Sequence, residues 1–343
     1  MLQSIILCFA VFLLGAAGTT SLQTCRAQSA VDFSGLAYFD YSYLMNSANA
    51  EAEGFNTFDY RRIYLTTDFT LSDQFDGRVR LEAQGRVLTE QGRPAPFVKD
   101  AYISWHDPIG DGSRLRLGVQ PPPLFELSER TWGYRSLDKT IMDRVNANDS
   151  RDFGIRADVS LAGDGAVSLA GMFANGNGVN PEFNLDRGKH VYVQIQASSS
   201  DVFRLSAGID YTRLDGVDDV RKGKLKTSVF VGAVSETFRG GVEAFYVRTT
   251  FDEGPLIDTP PLVDGIGVSA FGAVNISGRT SVVGRYDFVH ASAGRAGLDE
   301  HYGLAAFVYR PDPHVELMPN VVISKLVGVD AEVLVRFTVH VRF

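Results

Sequence analysis

Ala331-Glu332-Val333-Leu334-Val335-Arg336-Phe337-Thr338-Val339-His340-Val341-Arg342-Phe343 ends the chain, and its reading decides the fold. In an extended strand Val333, Val335, Phe337, Val339, Val341 and Phe343 share one face, and Glu332, Arg336, Thr338, His340 and Arg342 take the other. One side suits hydrocarbon and the other suits water, the pattern of a transmembrane β-strand. Upstream the same two-residue period recurs in about sixteen segments of roughly ten residues, long enough to cross a bilayer at a tilt. They fall near 31–44, 58–71, 77–88, 97–106, 114–120, 153–161, 166–174, 189–197, 203–211, 224–234, 241–249, 265–274, 280–289, 301–310, 314–324 and 331–343.

The connections alternate in length. Those at 72–76, 108–113, 162–165, 198–201, 236–240, 275–279 and 311–313 are short and rich in Gly, Asp, Asn or Pro; those at 46–57, 175–188, 212–223, 250–264 and 291–299 are longer and polar. Short turns at one end and long loops at the other are the rhythm of an outer-membrane barrel. The predicted fold is therefore all-β: a transmembrane antiparallel up-and-down β-barrel of about 16 strands. The longest gap, 121–152, exceeds an idle connection and is expected to be a third loop folded into the lumen as a constriction. A soluble sandwich would alternate too, but with its apolar faces meeting in a core. Two segments read ambiguously. In 241–249, Val242, Ala244 and Tyr246 compete with Phe245 and Val247 for the lipid face, and 314–324 contains Pro319.

From Ile5 to Ala17 the chain is apolar, and a cut after Ala27 would leave residues 28–343 as the mature barrel, so 1–27 reads as a cleaved signal peptide. Lipidation at Cys25 is the weaker alternative, because Thr24 is a poor neighbour for it. Cys8 and Cys25 both fall inside that segment, which removes disulfide and thiolate chemistry from the remainder. The chain has 33 basic and 41 acidic residues; 1–27 holds Arg26 and no acid, so its removal changes the net charge from −8 to −9. That acidity argues against a nucleic-acid partner.

With the apolar face outward, the other face lines the lumen, and its first third is basic. Arg62, Arg78, Arg80, Arg86, Arg114 and Arg116 point inward by parity, as does Arg156 later. Guanidinium groups along a wet wall attract anions and pass them between weak sites. Asp68, Glu82 and Asp100 face inward on the same stretch, so pairing into a field without strong ion preference is the competing reading. In the constriction loop the charged candidates are Arg130, Arg135 and Lys139 against Glu126 and Glu129, with Trp132 and Tyr134 supplying flat apolar surface.

Four stretches carry a resemblance: Tyr60-Arg61-Arg62-Ile63-Tyr64-Leu65; Val98-Lys99-Asp100-Ala101-Tyr102-Ile103; Leu115-Arg116-Leu117-Gly118-Val119-Gln120-Pro121-Pro122-Pro123; and Arg151-Asp152-Phe153-Gly154. In order and spacing, residues 58–160 resemble the phosphate-selective porin O and P family. A terminal aromatic also resembles the assembly signal of outer-membrane barrels. The resemblance implies a sixteen-stranded homotrimer in a bacterial outer membrane, surrounded by outer-membrane lipid, with small inorganic or organic anions as solutes. Arg62, Arg78, Arg80, Arg114 and Arg116 would then be wall residues, and Arg130, Arg135 and Lys139 constriction residues. Where that family often carries a Lys, this chain has Pro121.

Two other functions fit a barrel: a hydrolase at the lipid interface, or a plugged structural or adhesion barrel. His106, His190, His290, His301, His314 and His340 are scattered, with no metal spacing and no adjacent nucleophile. The expected function is a passive pore with no catalysis, metal or cofactor.

Overall fold

The computed structural model describes residues 30–85, 88–89, 92–162, 165–179, 188–199, 202–215, 221–251, 264–292 and 298–343. The expected signal segment 1–27 and Arg86 lie outside them. Among the described residues sixteen strands follow one another. They are β1 (Ala30–Asn46), β2 (Asn56–Thr70), β3 (Phe75–Ala83), β4 (Phe97–His106), β5 (Arg114–Gln120), β6 (Asp152–Ser160), β7 (Val167–Ala174) and β8 (His190–Ser199). The second half comprises β9 (Phe203–Asp215), β10 (Arg221–Val234), β11 (Phe238–Phe251), β12 (Asp264–Ser277), β13 (Thr280–Ser292), β14 (Leu298–Asp312), β15 (Val315–Leu326) and β16 (Glu332–Arg342). Every strand pairs antiparallel with its sequence neighbours, and β16 closes on β1 into a barrel. At the seam Gly35 and Phe343 exchange backbone hydrogen bonds of 2.6 and 3.0 Å, so the last residue of the chain is part of the ladder.

Closure satisfies the backbone around the whole ring, which is what a sheet needs in lipid. The alternation then sorts side chains as the sequence pattern predicts. Leu65, Leu117, Ile209, Val231, Phe307 and Phe337 stand exposed on the outer face. Arg62, Asp100, Arg156, Asp210, Asp287 and Thr338 are buried inside. Phe39, Tyr41, Tyr43, Trp105, Phe153, Tyr211 and Tyr309 are exposed apolar or amphipathic rings, suited to the two interfaces. The apolar faces of the strands do not meet in a dry interior, which excludes the sandwich.

Both ambiguous segments are strands. In β11 the lipid face belongs to Val242 and Tyr246, while Phe245 and Val247 turn inward onto the constriction loop. In β15 Pro319 pairs with Phe337 of β16 and, on the β14 side, falls in a gap of the ladder between Ala306↔Asn320 and Tyr309↔Leu317, where its missing N–H leaves a bond unmade. The expected segment 77–88 is too long, because β3 ends at Ala83.

Gly118, in the middle of β5, has φ 132°, and a Cβ there would collide with the Ala101 carbonyl of β4. Gly118→Ala should therefore destabilise the barrel by more than about 1 kcal/mol, the cost of a side chain in an incompatible conformation. Gly303→Ala, where a Cβ meets nothing within 4 Å, should stay within roughly 0.5 kcal/mol of wild type. Urea unfolding in detergent micelles measures both.

Candidate functional site

The third loop leaves β5 at Gln120 and returns at Asp152, carrying two short helices, α1 (Glu126–Trp132) and α2 (Ile141–Arg144). Its apolar side chains are too many for water, and the lumen offers them a matching wall. Leu127, Trp132, Tyr134 and Leu137 pack on Phe230, Phe271, Val283, Leu304, Val308 and Met318, inward residues of β10 and β12–β15. Leu124, Phe125, Ile141 and Met142 pack on Phe245, Val247 and Val289. Trp132 is the centre of this seam. Its ring meets Phe271 edge-on at 5.2 Å, its Nε1 donates to the Asp138 carbonyl at 2.8 Å, and the Arg285 guanidinium lies 5.5 Å from its centroid. The β10–β15 side of the lumen wall thus carries apolar patches because the loop covers them, a division the sequence reading did not anticipate.

Polar bonds fix the rest of the loop. Arg61 donates to the carbonyls of Ser136 and Leu137 at 2.6 and 2.9 Å, and Arg336 also donates to Leu137. Arg144 pairs with Asp287 and Glu300, Lys226 donates to Asn148, and Lys99 donates to Ser150. The loop is latched to β2, β4, β10, β13, β14 and β16, and cannot swing as a free flap.

The inward arginines face this loop from β2–β6. Arg62 pairs with Glu82 at 2.9 Å, Arg78 with Asp68 at 2.6 Å, Arg80 with Asp100 at 3.1 Å, and Arg116 with Asp158 at 2.9 Å. Arg156 pairs with both Glu126 and Asp158 at 2.7 Å. Arg114 stands exposed at the turn end of β5. Arg62 and Arg156 are buried ion-pair anchors, and of the two readings of the basic wall the paired one describes Arg62, Arg78, Arg80, Arg116 and Arg156. Tyrosines space it: Arg62 and Arg80 lie 5.3 and 5.0 Å from the Tyr64 centroid, and Arg116 lies 5.7 Å from that of Tyr102.

Which partner stands forward decides the local sign. In two pairs of β1–β4 the bases do: Arg61 is 29% exposed against 4% for Asp40, and Arg80 19% against 1% for Asp100; on β5 and β6 the acid does, Asp158 being 24% exposed against 12% for Arg116 and 4% for Arg156. On the loop side the acids do: Glu129 is 30% exposed against 14% for Arg135, and Glu126 23% against 4% for Arg156. The forward charge is therefore basic at Arg61 and Arg80 and acidic at Asp158, Glu126 and Glu129. Arg130 is exposed and reaches Gln196 at 3.5 Å. Lys139 and Arg135 both hold Asp143, at 2.9 and 2.8 Å.

Two inward cations escaped parity. At the β1–β2 bulge the register passes from Tyr38↔Arg62 to Phe39↔Tyr60, leaving Arg61 unpaired in the ladder and turned inward beside Arg62. Lys99 is the equivalent extra residue in β4, between Val98 and Asp100. The adjacent pairs Arg61-Arg62 and Lys99-Asp100 were the available signal, since a charge at a lipid-facing position is costly. Arg285 and Arg310 were also missed, although Asp287, two residues from Arg285 on β13, marks that face as inward; Arg336, read as facing water, does so and reaches the loop.

Among the described residues no group of His, Cys, Asp and Glu is placed to hold a metal. No family model matches the sequence, and no curated protein matches it. Solved structures do match. The outer membrane channel DcaP of Acinetobacter baumannii is 14% identical over 95% of this chain and 100% of that one, with a TM-score of 0.68. OmpF of Salmonella typhi, in complex with daunomycin, is 12% identical over 91% and 97%, with a TM-score of 0.67. An anion-selective porin from Comamonas acidovorans is 12% identical over 92% and 100%, also at 0.67. The chain shares the fold of outer-membrane porins.

Trp132→Ala should weaken the seam by about 3–5 kcal/mol, the usual cost of truncating a buried Trp. Proteolysis within 121–151, slow in the native barrel, should become fast while the barrel itself persists. Acid tests the loop's internal ion pairs, since Arg135, Lys139 and Asp143 all belong to it. Burial pushes the Asp143 carboxyl up, but Arg135 and Lys139 outweigh it and hold it at about 2, below the usual 3.8. A carboxyl lowered on folding adds stability that is complete above its ordinary value and lost as pH falls toward the folded one. Loosening of the loop's own fold, read by proteolysis with an acid-active protease, should therefore begin below pH 4 and approach completion near pH 2. Asp143→Asn should remove that dependence.

Proposed function

We propose that this protein is an outer-membrane porin: a passive channel for small hydrophilic solutes, with a preference for anions. The observation that carries the reading is the one-sided latch of the third loop. An apolar seam holds it against β10–β15, while on the opposite side charged and tyrosine side chains of β1–β6 face its edge. A polar lane beside a fixed loop is the arrangement a diffusion pore needs. Along the β1–β3 wall there is a 430 Å³ cavity lined by Asp40, Asp59, Arg61 and Arg336. A second one, of 500 Å³, is lined by Tyr64, Thr66, Arg80 and Arg342. Tyr38, Arg62 and Tyr64, their neighbours on β1 and β2, are almost fully covered.

Forward-standing arginines on the wall support the anion lean, and the stretches around Arg62, Asp100, Arg116 and Asp152 support kinship with phosphate-selective porins. In this reading the short turns lie in the periplasm, residues 1–27 are removed on export, and three copies assemble in the membrane. The lane conducts without catalysis, metal or cofactor.

Zero-current potentials across planar bilayers under a KCl gradient test the proposal. Stepwise current is expected, with chloride permeating at least as well as potassium, and Arg114→Ala with Arg116→Ala should lower that ratio. A cation preference in the unaltered protein would overturn the anion lean alone. Absence of stepwise current would favour a plugged barrel, since Tyr38, Arg62 and Tyr64 are already almost fully covered.

A further inference from the structure

The outer face of the barrel is as unevenly built as its lumen. Among the described strand residues, no outward position of β1–β8 or β16 carries a charge. Outward charges gather only at the loop ends of β9–β15, where Arg213, Arg248, His290, His301 and Lys325 stand with Asp264 and Asp299. A charge on the lipid face of a barrel costs least near the interfaces, so this rim marks the level of the lipid headgroups. His301 of β14 and Lys325 of β15 are direct partners within it. Lys325 is exposed and, among the described residues, has neither an ion pair nor a hydrogen bond. His301 meets the Tyr286 hydroxyl through Nδ1 at 2.7 Å and the Phe288 ring at 5.2 Å, while Asp299, on the same rim, is held by His290 at 2.6 Å.

Below that pair the outward positions of the same two strands are apolar: Ile323, Val321 and Pro319 on β15, and Gly303, Ala305 and Phe307 on β14. A groove of about 560 Å³ lies there, lined by Val282, Ala305, Phe307, Pro319, Val321 and Phe337 among others. At Gly303, between His301 and Ala305, a Cβ would meet nothing within 4 Å, so the surface is open from the cationic pair to the groove. On β14–β15 a cationic rim thus continues into an apolar slot.

We propose that this outer surface binds one phosphorylated lipid, its phosphate on His301 and Lys325 and an acyl chain in the groove. With the Tyr286 hydroxyl donating to Nδ1, the His301 ring keeps its hydrogen on Nε2 and donates it to a phosphate oxygen, while the Lys325 ammonium supplies the charge. A free phosphate would leave the groove empty, and a second barrel would have to bury the unpaired Lys325, which interface cores avoid. A lipid satisfies both parts at once. The proposal rests on the outer-membrane reading for which lipid reaches this rim, but binding itself needs only the folded barrel.

Native mass spectrometry of the barrel in detergent, with diphosphoryl lipid A added as the probe, is the first measurement. One lipid A should stay bound per chain, phosphatidylcholine should not, and inorganic phosphate should not displace it. His301→Ala with Lys325→Ala should weaken retention at least roughly tenfold, the order expected for losing a charge-assisted hydrogen bond. Ala305→Phe, which fills the groove and leaves the cations in place, should weaken it as well. Arg248→Ala, on the same rim but on β11, should bind as the native barrel does. Maleimide modification of Ala305→Cys should be fast without lipid and slow with it. Retention that is absent, unchanged in the double variant, or lost equally in Arg248→Ala overturns the site, as does displacement by inorganic phosphate. Slow modification without lipid would show a second barrel covering the groove and overturns it too. Lipid retention by a barrel that passes no current sustains the site and removes the channel reading instead.

Discussion

Ring closure is the constraint on which everything else depends. In hydrocarbon an unpaired backbone amide or carbonyl costs several kcal/mol, so a sheet in lipid must have no edge. The β1–β16 seam meets that demand down to the last residue, where Phe343 pairs with Gly35. Once the ring is closed, each strand residue has only two directions, hydrocarbon or lumen, and parity assigns them. A bulge is the one local device that changes the assignment, and here bulges deliver Arg61 and Lys99 to the interior.

The lumen is then a second solvent problem, solved by dividing it. The 31 residues between β5 and β6 carry enough apolar surface to need a core of their own, and β10–β15 supply one inside the barrel. This core differs from the sandwich interior that the strand pattern also allowed: it forms between loop and wall, with lipid still touching the opposite face of the same strands. Its position leaves the charged residues of β1–β6 facing the loop's other edge. Arg61, Arg144 and Arg336 hold the loop there, two through its backbone carbonyls and one through Asp287.

Most of the architecture was legible in the sequence because a lipid-facing strand obeys a strict two-residue rule. The terminal stretch 331–343, the alternating connection lengths and the long gap at 121–152 lead to sixteen strands and an internal loop, and the structure has both. The candidate site was legible only in part. Arg62, Arg78, Arg80, Arg116 and Arg156 do face inward, yet parity says nothing about their partners across strands, and each has one. Phe230, Phe271 and Val283 read as ordinary apolar residues, because a lumen position covered by a loop has the same composition as a lipid position. Arg61 was hidden by a bulge, which leaves no mark in a two-residue period except an adjacent pair of charges.

Paired charges also explain how an acidic protein can present a basic wall. The formal net charge of −8 counts every carboxylate equally, but a passing ion does not meet them equally. Asp40, Glu82 and Asp100 are buried behind the guanidiniums they hold. At a distance each such pair is a dipole, whose field fades faster than that of a charge and is screened over about 8–10 Å of saline. At contact the guanidinium alone is within reach. The exposed partner is the guanidinium at Arg61 and Arg80, which are 29% and 19% exposed while Asp40 and Asp100 are almost fully covered. Where Arg78 and Asp68 are similarly exposed, the pair presents both signs.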